Sequence, residues 1–229
     1  NKTGYKPIDE VLNAGLRALS PSDFNASLKE EGILILDTRP AGEFSKCFIP
    51  GSIHIGLNGD FAPWVGSLLE NVNQPLLLVC EAGKEAEAVT RLSRIGFDHV
   101  RGILNGGMDA WMAEGRPTEK INRITAEKMS EIFTPELQVI DVRKPSEFEN
   151  GHMAHASLKP LAEIHEWSNS IPKNASFFLH CQGGYRSMIA ASILASRGIK
   201  NFWEIEGGYA AISKANLPGI VIEKENVDH

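Results

Sequence analysis

The chain has 229 residues, of which 42% are hydrophobic and 23% are charged, and its formal net charge at pH 7 is -6. This composition is typical of a globular protein with one large domain or two ordinary ones. The negative charge offers no general attraction to nucleic acid or anionic lipid, and no apolar stretch approaches a membrane-spanning length, so we predict neither nucleic acid nor a membrane among the partners.

Short apolar runs that end at polar residues recur along the chain, and helical patterns follow them. In order, the runs are 33–36 before Asp37, 76–79 before Cys80, 139–140 before Asp141 and 177–179 before His180. Runs this short and continuous suit parallel strands that are buried on both faces. The helical pattern over 187–197, stopped by Gly198, completes the alternation. We therefore predict an α/β fold with mainly parallel sheets covered by helices on both faces.

The same pattern occurs twice in the chain. DTRPAGEF at 37–44 matches DVRKPSEF at 141–148, PLLLVCEAGKEA at 75–86 matches SFFLHCQGGYRS at 176–187, and a late Gly-Gly pair stands at 106–107 and at 207–208. Three matches in one order predict two copies of a domain of about 100 residues. We place the copies at 21–118 and 122–229, and we expect residues 1–20 to be a linker or the tail of an upstream domain.

Cysteine usage predicts a reducing compartment. Cys47, Cys80 and Cys181 are odd in number, widely spaced and without a CxxC pair, which is no disulfide framework. We therefore expect a cytoplasmic location. The histidines and cysteines show no zinc-ligand spacing, so we expect no metal and no cofactor.

The stretch CQGGYRS, residues 181–187, carries the chemistry. It joins a strand to a helix, and its glycines let backbone N–H groups turn inward toward the positive end of the helix. An anion is stabilised there, so Cys181 is predicted to be a nucleophilic thiolate. The residues expected to bind the substrate are Gln182, Gly183, Gly184, Tyr185, Arg186 and Ser187. A buried structural cysteine before a Gly-rich turn is the alternative.

The length of this loop indicates which anion it binds. Cysteine phosphatases place five residues between the nucleophilic Cys and the Arg, whereas four separate Cys181 from Arg186. A smaller ring of N–H donors suits one terminal sulfur on the cysteine, which is a persulfide. A phosphatase or an arsenate reductase that uses the same Cys and Arg remains an alternative.

These motifs resemble the rhodanese family of sulfurtransferases. The resemblance rests on D-x-R-x-x-x-E-F in both halves, on C-x-x-G-x-R-S in the second half and on the two Gly-Gly pairs. It implies two tandem rhodanese-like domains, a catalytic Cys181 and activity in the second copy alone. The stretch HCQGGYRSMIAASILASRG and the lead-in GYKPIDEVLNAGLRALSPSDF resemble tandem rhodanese regions of bacterial persulfide-dioxygenase-type fusions. That resemblance implies an upstream metallo-β-lactamase-like domain as a partner.

The first copy departs from the pattern at the loop. CEAGKEA offers Glu85 where the second copy has Arg186, or Lys84 if the register slips by one. Negative charge from Glu81 and Glu85 repels anionic donors and disfavours a thiolate. We therefore expect Cys80 to be inert and the first copy to be a degenerate partner.

Two residues in each copy follow a strand and are expected to support the loop. Asp141 and Arg143 correspond to Asp37 and Arg39, and their presence in the copy without a working loop indicates a structural task. We expect them to form ion pairs with Glu147 and Glu43, with substrate recognition by Arg143 as the alternative. Strand alternation is expected to point His180 away from the Cys181 side chain.

The predicted function is transfer of a sulfane sulfur from thiosulfate or a low-molecular-weight persulfide to a thiol acceptor through a Cys181 persulfide. The alternative from another class is a non-catalytic scaffold or a sulfur relay for a fused metallo-hydrolase domain.

Overall fold

The computed structural model describes residues 8–215 and 222–223, and the chain divides into two compact units, 1–119 and 120–229. Each unit contains one five-stranded sheet whose strands all run parallel, together with helices. The predicted fold class, two tandem α/β domains, is confirmed.

The first domain alternates short strands with helices. Its elements are α1 (Ile8–Gly15), β1 (Ala18–Leu19), α2 (Pro21–Ser27), β2 (Leu34–Asp37), α3 (Ala41–Lys46), β3 (Ile53–His54), α4 (Phe61–Leu68), β4 (Leu76–Val79), α5 (Glu85–Ser93), β5 (Val100–Leu104) and α6 (Gly107–Ala113). The strand order across the sheet is β1-β5-β4-β2-β3, so the strand that precedes Cys80 lies in the middle.

The second domain repeats this plan. Its elements are β6 (Arg123–Ile124), α7 (Ala126–Ile132), β7 (Gln138–Asp141), α8 (Pro145–Glu149), β8 (His152–Met153), β9 (Ala156–Leu158), α9 (Ile164–Trp167), β10 (Phe177–His180), α10 (Tyr185–Ser196), β11 (Phe202–Ile205), α11 (Gly208–Ala215) and β12 (Ile222–Glu223). The order β6-β11-β10-β7-β9 again puts the strand before the loop cysteine in the middle, and β12 pairs with β8 apart from this sheet.

The central strands are buried on both faces, as their continuous apolar runs predict. Every residue of β4 and of β10 is buried. Leu77 and Val79 point to one face of the first sheet, where they pack with Phe24 of α2 and Trp111 of α6. The two aromatic rings meet edge to face at a centroid distance of 6.0 Å.

A side-chain hydroxyl group caps the N-terminus of the helix that follows the first edge strand in each domain. Ser20 Oγ accepts a hydrogen bond from the Asp23 N–H at the start of α2, and Thr125 Oγ1 accepts one from the Lys128 N–H at the start of α7. Such caps satisfy one of the backbone donors that the first turn of a helix leaves without partners. The helix after the first edge strand therefore begins with the same kind of cap in both domains.

The structure corrects part of the expectation that residues 1–20 form a linker. Residues 1–7 lie outside the described residues. Strand β1 pairs in parallel with β5, so it is an edge strand of the first sheet. Gly15, at the end of α1, approaches α5 so closely that a Cβ there would lie 2.8 Å from Val89 Cγ1. Two residues at a sheet edge are too short a run to be read from periodicity.

Helix α10 is buried along most of its length, as its apolar sequence predicts. Every residue from Ser187 to Ala195 is buried, and Gly198 follows the helix with a φ of +83°. The left-handed glycine ends the helix where the sequence predicts. Throughout the ranges 8–215 and 222–223, no helix has both the length and the apolar character needed to cross a bilayer.

We predict that Leu77→Ala lowers the free energy of unfolding by about 2–5 kcal/mol, because Leu77 is fully buried in the middle strand and a cavity replaces its side chain. Val72→Ala, at a residue whose exposed fraction is 47%, is the control and should change the free energy by less than about 0.5 kcal/mol. Urea denaturation measures both, and equal effects of the two variants would contradict the assignment of this core.

Candidate active site

The loop cysteine of the second domain lies at the carboxyl edge of the sheet. Cys181 directly follows β10, and α10 begins at Tyr185. Asp141 ends the neighbouring strand β7 and pairs in register with His180. Ligands of open parallel sheets bind outside this edge, where the ends of adjacent strands meet. The predicted loop residues therefore occupy the position at which an α/β domain places a site.

The loop directs an N–H group at the Cys181 sulfur. Gly184 has a φ of +103°, and its N–H donates to Cys181 Sγ at 3.2 Å. Ser187 Oγ, in the first turn of α10, lies 3.5 Å from the same sulfur. A side chain on Gly183 would meet nothing within 4 Å. The conformational need for glycine therefore falls on Gly184, where the left-handed backbone turns its N–H inward.

Helix α11 holds the loop from its other side. The N–H of Tyr209 donates to the Cys181 carbonyl at 2.8 Å, and the N–H of Ala210 donates to the Gln182 carbonyl at 3.0 Å. A Cβ on Gly208 would lie 2.2 Å from the Cys181 carbonyl oxygen, so only glycine permits this approach. The late Gly-Gly pair of the sequence thus packs directly against the loop.

A buried ion pair supports the loop from strand β7. Arg143 Nη2 lies 2.6 Å from Asp141 Oδ2, and both side chains are almost completely buried. The guanidinium also donates to the Gly151 carbonyl at 2.9 Å and to Gln182 Oε1 at 3.3 Å. Its carbon lies 3.9 Å from the centroid of the Tyr209 ring. Arg143 therefore joins the strand to the loop and to α11.

The expectation that these residues pair with Glu147 and Glu43 is wrong. Asp141 pairs with Arg143, and Asp37 pairs with Arg39 in the same way, because an aspartate two residues earlier accepts both the backbone N–H and the guanidinium of the arginine. Glu43 instead pairs with Lys46.

Glu147 pairs with Arg186 of the loop. Its carboxylate accepts Arg186 Nη1 at 2.6 Å and Nη2 at 2.7 Å, which is a bidentate contact between α8 and the first turn of α10. The hydrogen bond from Arg186 lowers the pKa of Glu147 to about 2. Both terminal amino groups of Arg186 are therefore engaged by a carboxylate beside the loop.

His180 is fully buried behind the loop. Its Nδ1 lies 3.2 Å from the Cys181 carbonyl oxygen, and its Nε2 lies 3.8 Å from Asp141 Oδ2. Burial lowers the pKa of this imidazole, which the Asp141 carboxylate opposes. The ring is therefore neutral near pH 7, and it contacts the backbone of Cys181 and the buried carboxylate.

The loop of the first domain has the same left-handed glycine but a different charge. Gly83 has a φ of +83° and corresponds to Gly184, which puts Glu85 in the place of Arg186. Burial raises the pKa of Cys80 to about 12, and the charge of Glu85 adds to this rise. Cys80 is therefore a neutral thiol at pH 7.

An open cavity of about 500 Å³ lies in front of Cys80. Its lining residues include Glu43, Glu81, Glu85 and Asp109, together with Arg39.

Within the described ranges 8–215 and 222–223, no three His, Cys, Asp or Glu side chains are grouped as a metal site requires.

Comparison with known proteins gives the family of both domains. A family model described as the rhodanese-like domain matches the chain twice, over residues 20–114 and 125–215. This chain belongs to the rhodanese-like domain family. Each match covers four of the five strands of one sheet and leaves out only its first edge strand, so the repeat in the sequence is a repeat of rhodanese-like domains.

Individual relatives match one domain or both. The uncharacterized protein YqhL of Bacillus subtilis (strain 168) is 38% identical over 72 residues, which are 31% of this chain and 57% of that protein. A sulfurtransferase of Allochromatium vinosum is 28% identical over 105 residues, which are 45% of this chain and 98% of that protein. The solved thiosulfate sulfurtransferase of Pseudomonas aeruginosa has 16% identity and a TM-score of 0.39, over 92% of this chain and 44% of that one. The chain thus spans little more than half of YqhL.

The sequence analysis missed the Arg123–Glu204 pair of the second rhodanese-like domain and gave Glu147 the wrong partner. Glu147 lies 39 positions from Arg186, and Arg123 lies 81 positions from the buried Glu204, which it contacts. The readable signal was Glu204 itself, because a carboxylate inside the apolar strand FWEI needs a partner. The partner's identity is not readable, since it depends on how the strands pair.

We predict that Gly208→Ala displaces the loop and that Gly107→Ala does not. Both glycines are left-handed, which costs an alanine about 1–2 kcal/mol, but a Cβ on Gly107 would meet nothing within 4 Å. Gly208→Ala should lose about 1–3 kcal/mol more because of the contact with the Cys181 carbonyl. Urea denaturation measures the stability and alkylation kinetics report on Cys181. Unchanged alkylation in Gly208→Ala would refute the close approach.

The Glu147–Arg186 pair predicts a specific acid dependence. Because the pKa of Glu147 falls from 4.5 to about 2 in the folded state, its contribution to stability is present above pH 4.5 and is lost as the pH falls toward 2. The difference in free energy of unfolding between the wild type and Glu147→Gln should therefore shrink over this range. Glu43→Gln, at an exposed pair with Lys46, is the control and should show a smaller difference. A difference that does not vary with pH would contradict the pair.

Proposed function

We propose that the chain is a sulfurtransferase, in which Cys181 takes a sulfane sulfur from thiosulfate or a low-molecular-weight persulfide and passes it to a thiol. The observation that supports this most directly is the buried Cys181 Sγ, which accepts the Gly184 N–H at the N-terminus of α10. A loop with four residues between Cys181 and Arg186 suits a single bound sulfur rather than a phosphoryl group.

The proposed reaction conserves electrons within two substitutions. The Cys181 thiolate attacks the outer sulfur of the donor, a new S–S bond forms, and the bond between that sulfur and its carrier breaks. The electron pair of the broken bond leaves on sulfite or on the thiol of the donor. A thiolate acceptor then attacks the terminal sulfur, and the Cys181 thiolate is released. No external oxidant or reductant takes part.

The residues around Cys181 have distinct proposed roles. The Gly184 N–H and the N-terminus of α10 stabilise negative charge on the loop sulfur. Arg143 holds the loop through Gln182 and supports it rather than reacting. Arg186 supplies positive charge beside the sulfur, although Glu147 balances part of that charge. Substrate contact by the half-buried Tyr185 and by the exposed Gly183 is part of the proposal.

The first domain is proposed to be non-catalytic. Its Cys80 is a neutral thiol, and Glu85 stands in the place of the cation. Acidic residues line its cavity, which disfavours an anionic donor. A scaffold role or a sulfur relay toward an upstream metallo-β-lactamase-like domain is the alternative for the whole chain. We also propose a cytoplasmic location for the protein, since a persulfide cycle needs reduced thiols.

The decisive experiment compares Cys181→Ser with Cys80→Ser. We expect Cys181→Ser to abolish sulfur transfer and to lose the adduct of one sulfur atom that mass spectrometry detects on the wild type. Cys80→Ser should retain both. Thiosulfate, mercaptopyruvate and glutathione persulfide are the donors to test.

Full transfer by Cys181→Ser, or Cys181-dependent turnover of an aryl phosphate in place of transfer, would contradict the proposal. Loss of transfer in Cys80→Ser with a persulfide still formed on Cys181 would favour the relay.

A further inference from the structure

A buried carboxylate lies behind the loop of the second domain. Glu204 of β11 has no exposed surface, and its Oε2 accepts Arg123 Nε at 2.8 Å. Its other oxygen, Oε1, accepts Ser187 Oγ at 2.7 Å. The same Ser187 oxygen lies 3.5 Å from Cys181 Sγ. A continuous chain of polar atoms therefore runs from the strand pair β6–β11 to the loop sulfur.

The hydroxyl of Ser187 has one proton and two neighbours that would accept it. While Glu204 is ionised, the hydroxyl donates to the carboxylate, and its lone pairs face Cys181. Such an oxygen accepts the proton of a thiol and gives no hydrogen bond to a thiolate. When Glu204 is protonated, it donates to Ser187, and the hydroxyl proton is free to stabilise the Cys181 thiolate. The charge on Glu204 therefore governs which form of the cysteine is stabilised.

The first domain keeps the cysteine but lacks the arginine, the carboxylate and the hydroxyl group of this polar chain. Strand register pairs Ala18 with Ile103 where the second domain pairs Arg123 with Glu204. Ala86 stands where Ser187 would be, six residues after Cys80 as Ser187 is six residues after Cys181. The polar chain thus accompanies the loop that carries the proposed activity and is replaced by apolar side chains beside the inert Cys80.

The other charged and titratable groups near Glu204 and Cys181 lie on several neighbouring elements. They are Arg123 on β6, Glu206 after β11, Asp141 and Arg143 at the end of β7, His180 on β10 and Arg186 on α10. The Asp141 and Arg143 charges balance each other, and Arg186 is balanced by Glu147.

Burial raises the pKa of Glu204, an effect that Arg123 and Ser187 oppose and to which Glu206 adds. A carboxylate with a raised pKa is a better proton acceptor for a thiol, because the two proton affinities are closer.

From this geometry we infer that Glu204 is a positioning residue that shares one proton with Cys181 through the hydroxyl of Ser187. The inference rests on the proposed function of Cys181 and adds where the proton of its thiol goes. As the thiolate forms, the S–H proton moves to Ser187 Oγ and the Ser187 proton moves to Glu204 Oε1. One S–H bond and one O–H bond break, two O–H bonds form, and no charge enters or leaves the site.

The test is the pH profile of Cys181 alkylation by iodoacetamide, measured on the full chain. Two groups that share a proton titrate in two steps, so the wild-type profile should be broader than a single ionisation. Glu204→Gln resembles the protonated carboxyl group and cannot take the proton. We expect it to give a single ionisation, with the thiol proton lost to water. Alkylation should be about threefold faster at pH 7–8, equivalent to about half a pH unit, because a neutral side chain leaves the Ser187 proton free to stabilise the thiolate.

Two further variants distinguish the shared proton from a structural role. Glu206→Gln removes an exposed charge beside the same Arg123 but leaves the bridge through Ser187 intact, so it should keep the two-step profile and change it far less than Glu204→Gln. In a Ser187→Ala background, the effect of Glu204→Gln should largely disappear, because the bridge is absent. A wild-type profile in Glu204→Gln, or an undiminished effect without Ser187, would overturn the inference.

A third variant guards against a misfolded Glu204→Gln protein. Arg123→Gln removes the cation that stabilises the Glu204 carboxylate, so Glu204 should keep its proton to higher pH and alkylation should again be faster. Slower or unchanged alkylation in Arg123→Gln would contradict the shared proton. The outcomes also separate the two proposals. A two-step profile without any sulfur transfer would refute the proposed function alone, whereas transfer with a single-step wild-type profile would refute the shared proton alone.

Discussion

A buried aspartate–arginine pair at the carboxyl edge of the sheet is the interaction on which both domains depend. Isolated buried charges are unfavourable, so such a pair persists only when further hydrogen bonds satisfy it. Arg143 meets this condition by donating to Asp141, to the Gly151 carbonyl and to Gln182. The pair therefore fixes the end of a strand, a turn and the loop relative to one another. In the first domain, Arg39 pairs with Asp37 and donates to the Cys47 carbonyl, which joins the end of the strand to the corresponding turn.

On this common frame the two loops have opposite electrostatics. The second places an N–H group, a hydroxyl and an arginine around its cysteine, whereas the first places a glutamate where that arginine belongs. The difference extends beneath the loop, where an apolar Ile103 replaces Glu204. The first domain thus keeps the residues that fix the shape of the loop and lacks the arginine and the hydroxyl group that lie near the cysteine of the second domain. The substitution Glu85→Arg alone would leave the first domain without counterparts of Ser187 and Glu204.

Features encoded locally could be read from the sequence, whereas features that need distant partners could not. The repeat, the central strands and the turn at Gly184 follow from short patterns, because period, apolar runs and glycine act over a few residues. Strand β1 was missed since two residues carry no periodicity. The partner of Glu147 was assigned wrongly, because Arg186 lies on another helix, outside the motif DVRKPSEF that contains Glu147. Glu204 was visible as a charge in an apolar strand, but its link to Ser187 depends on strand order.

The depth of Cys181 has a consequence for the shape of any molecule that reacts with it. Only 1% of this residue is exposed, so a molecule that reacts with its sulfur must present a slender end to it. A sulfane sulfur is the outermost atom of its carrier, with no substituent beyond it, and can enter end-on. Each sulfur of an ordinary disulfide carries a carbon substituent, so neither sulfur is a free end. For the proposed function, burial of Cys181 therefore favours a donor whose sulfur is terminal and disfavours mixed disulfides.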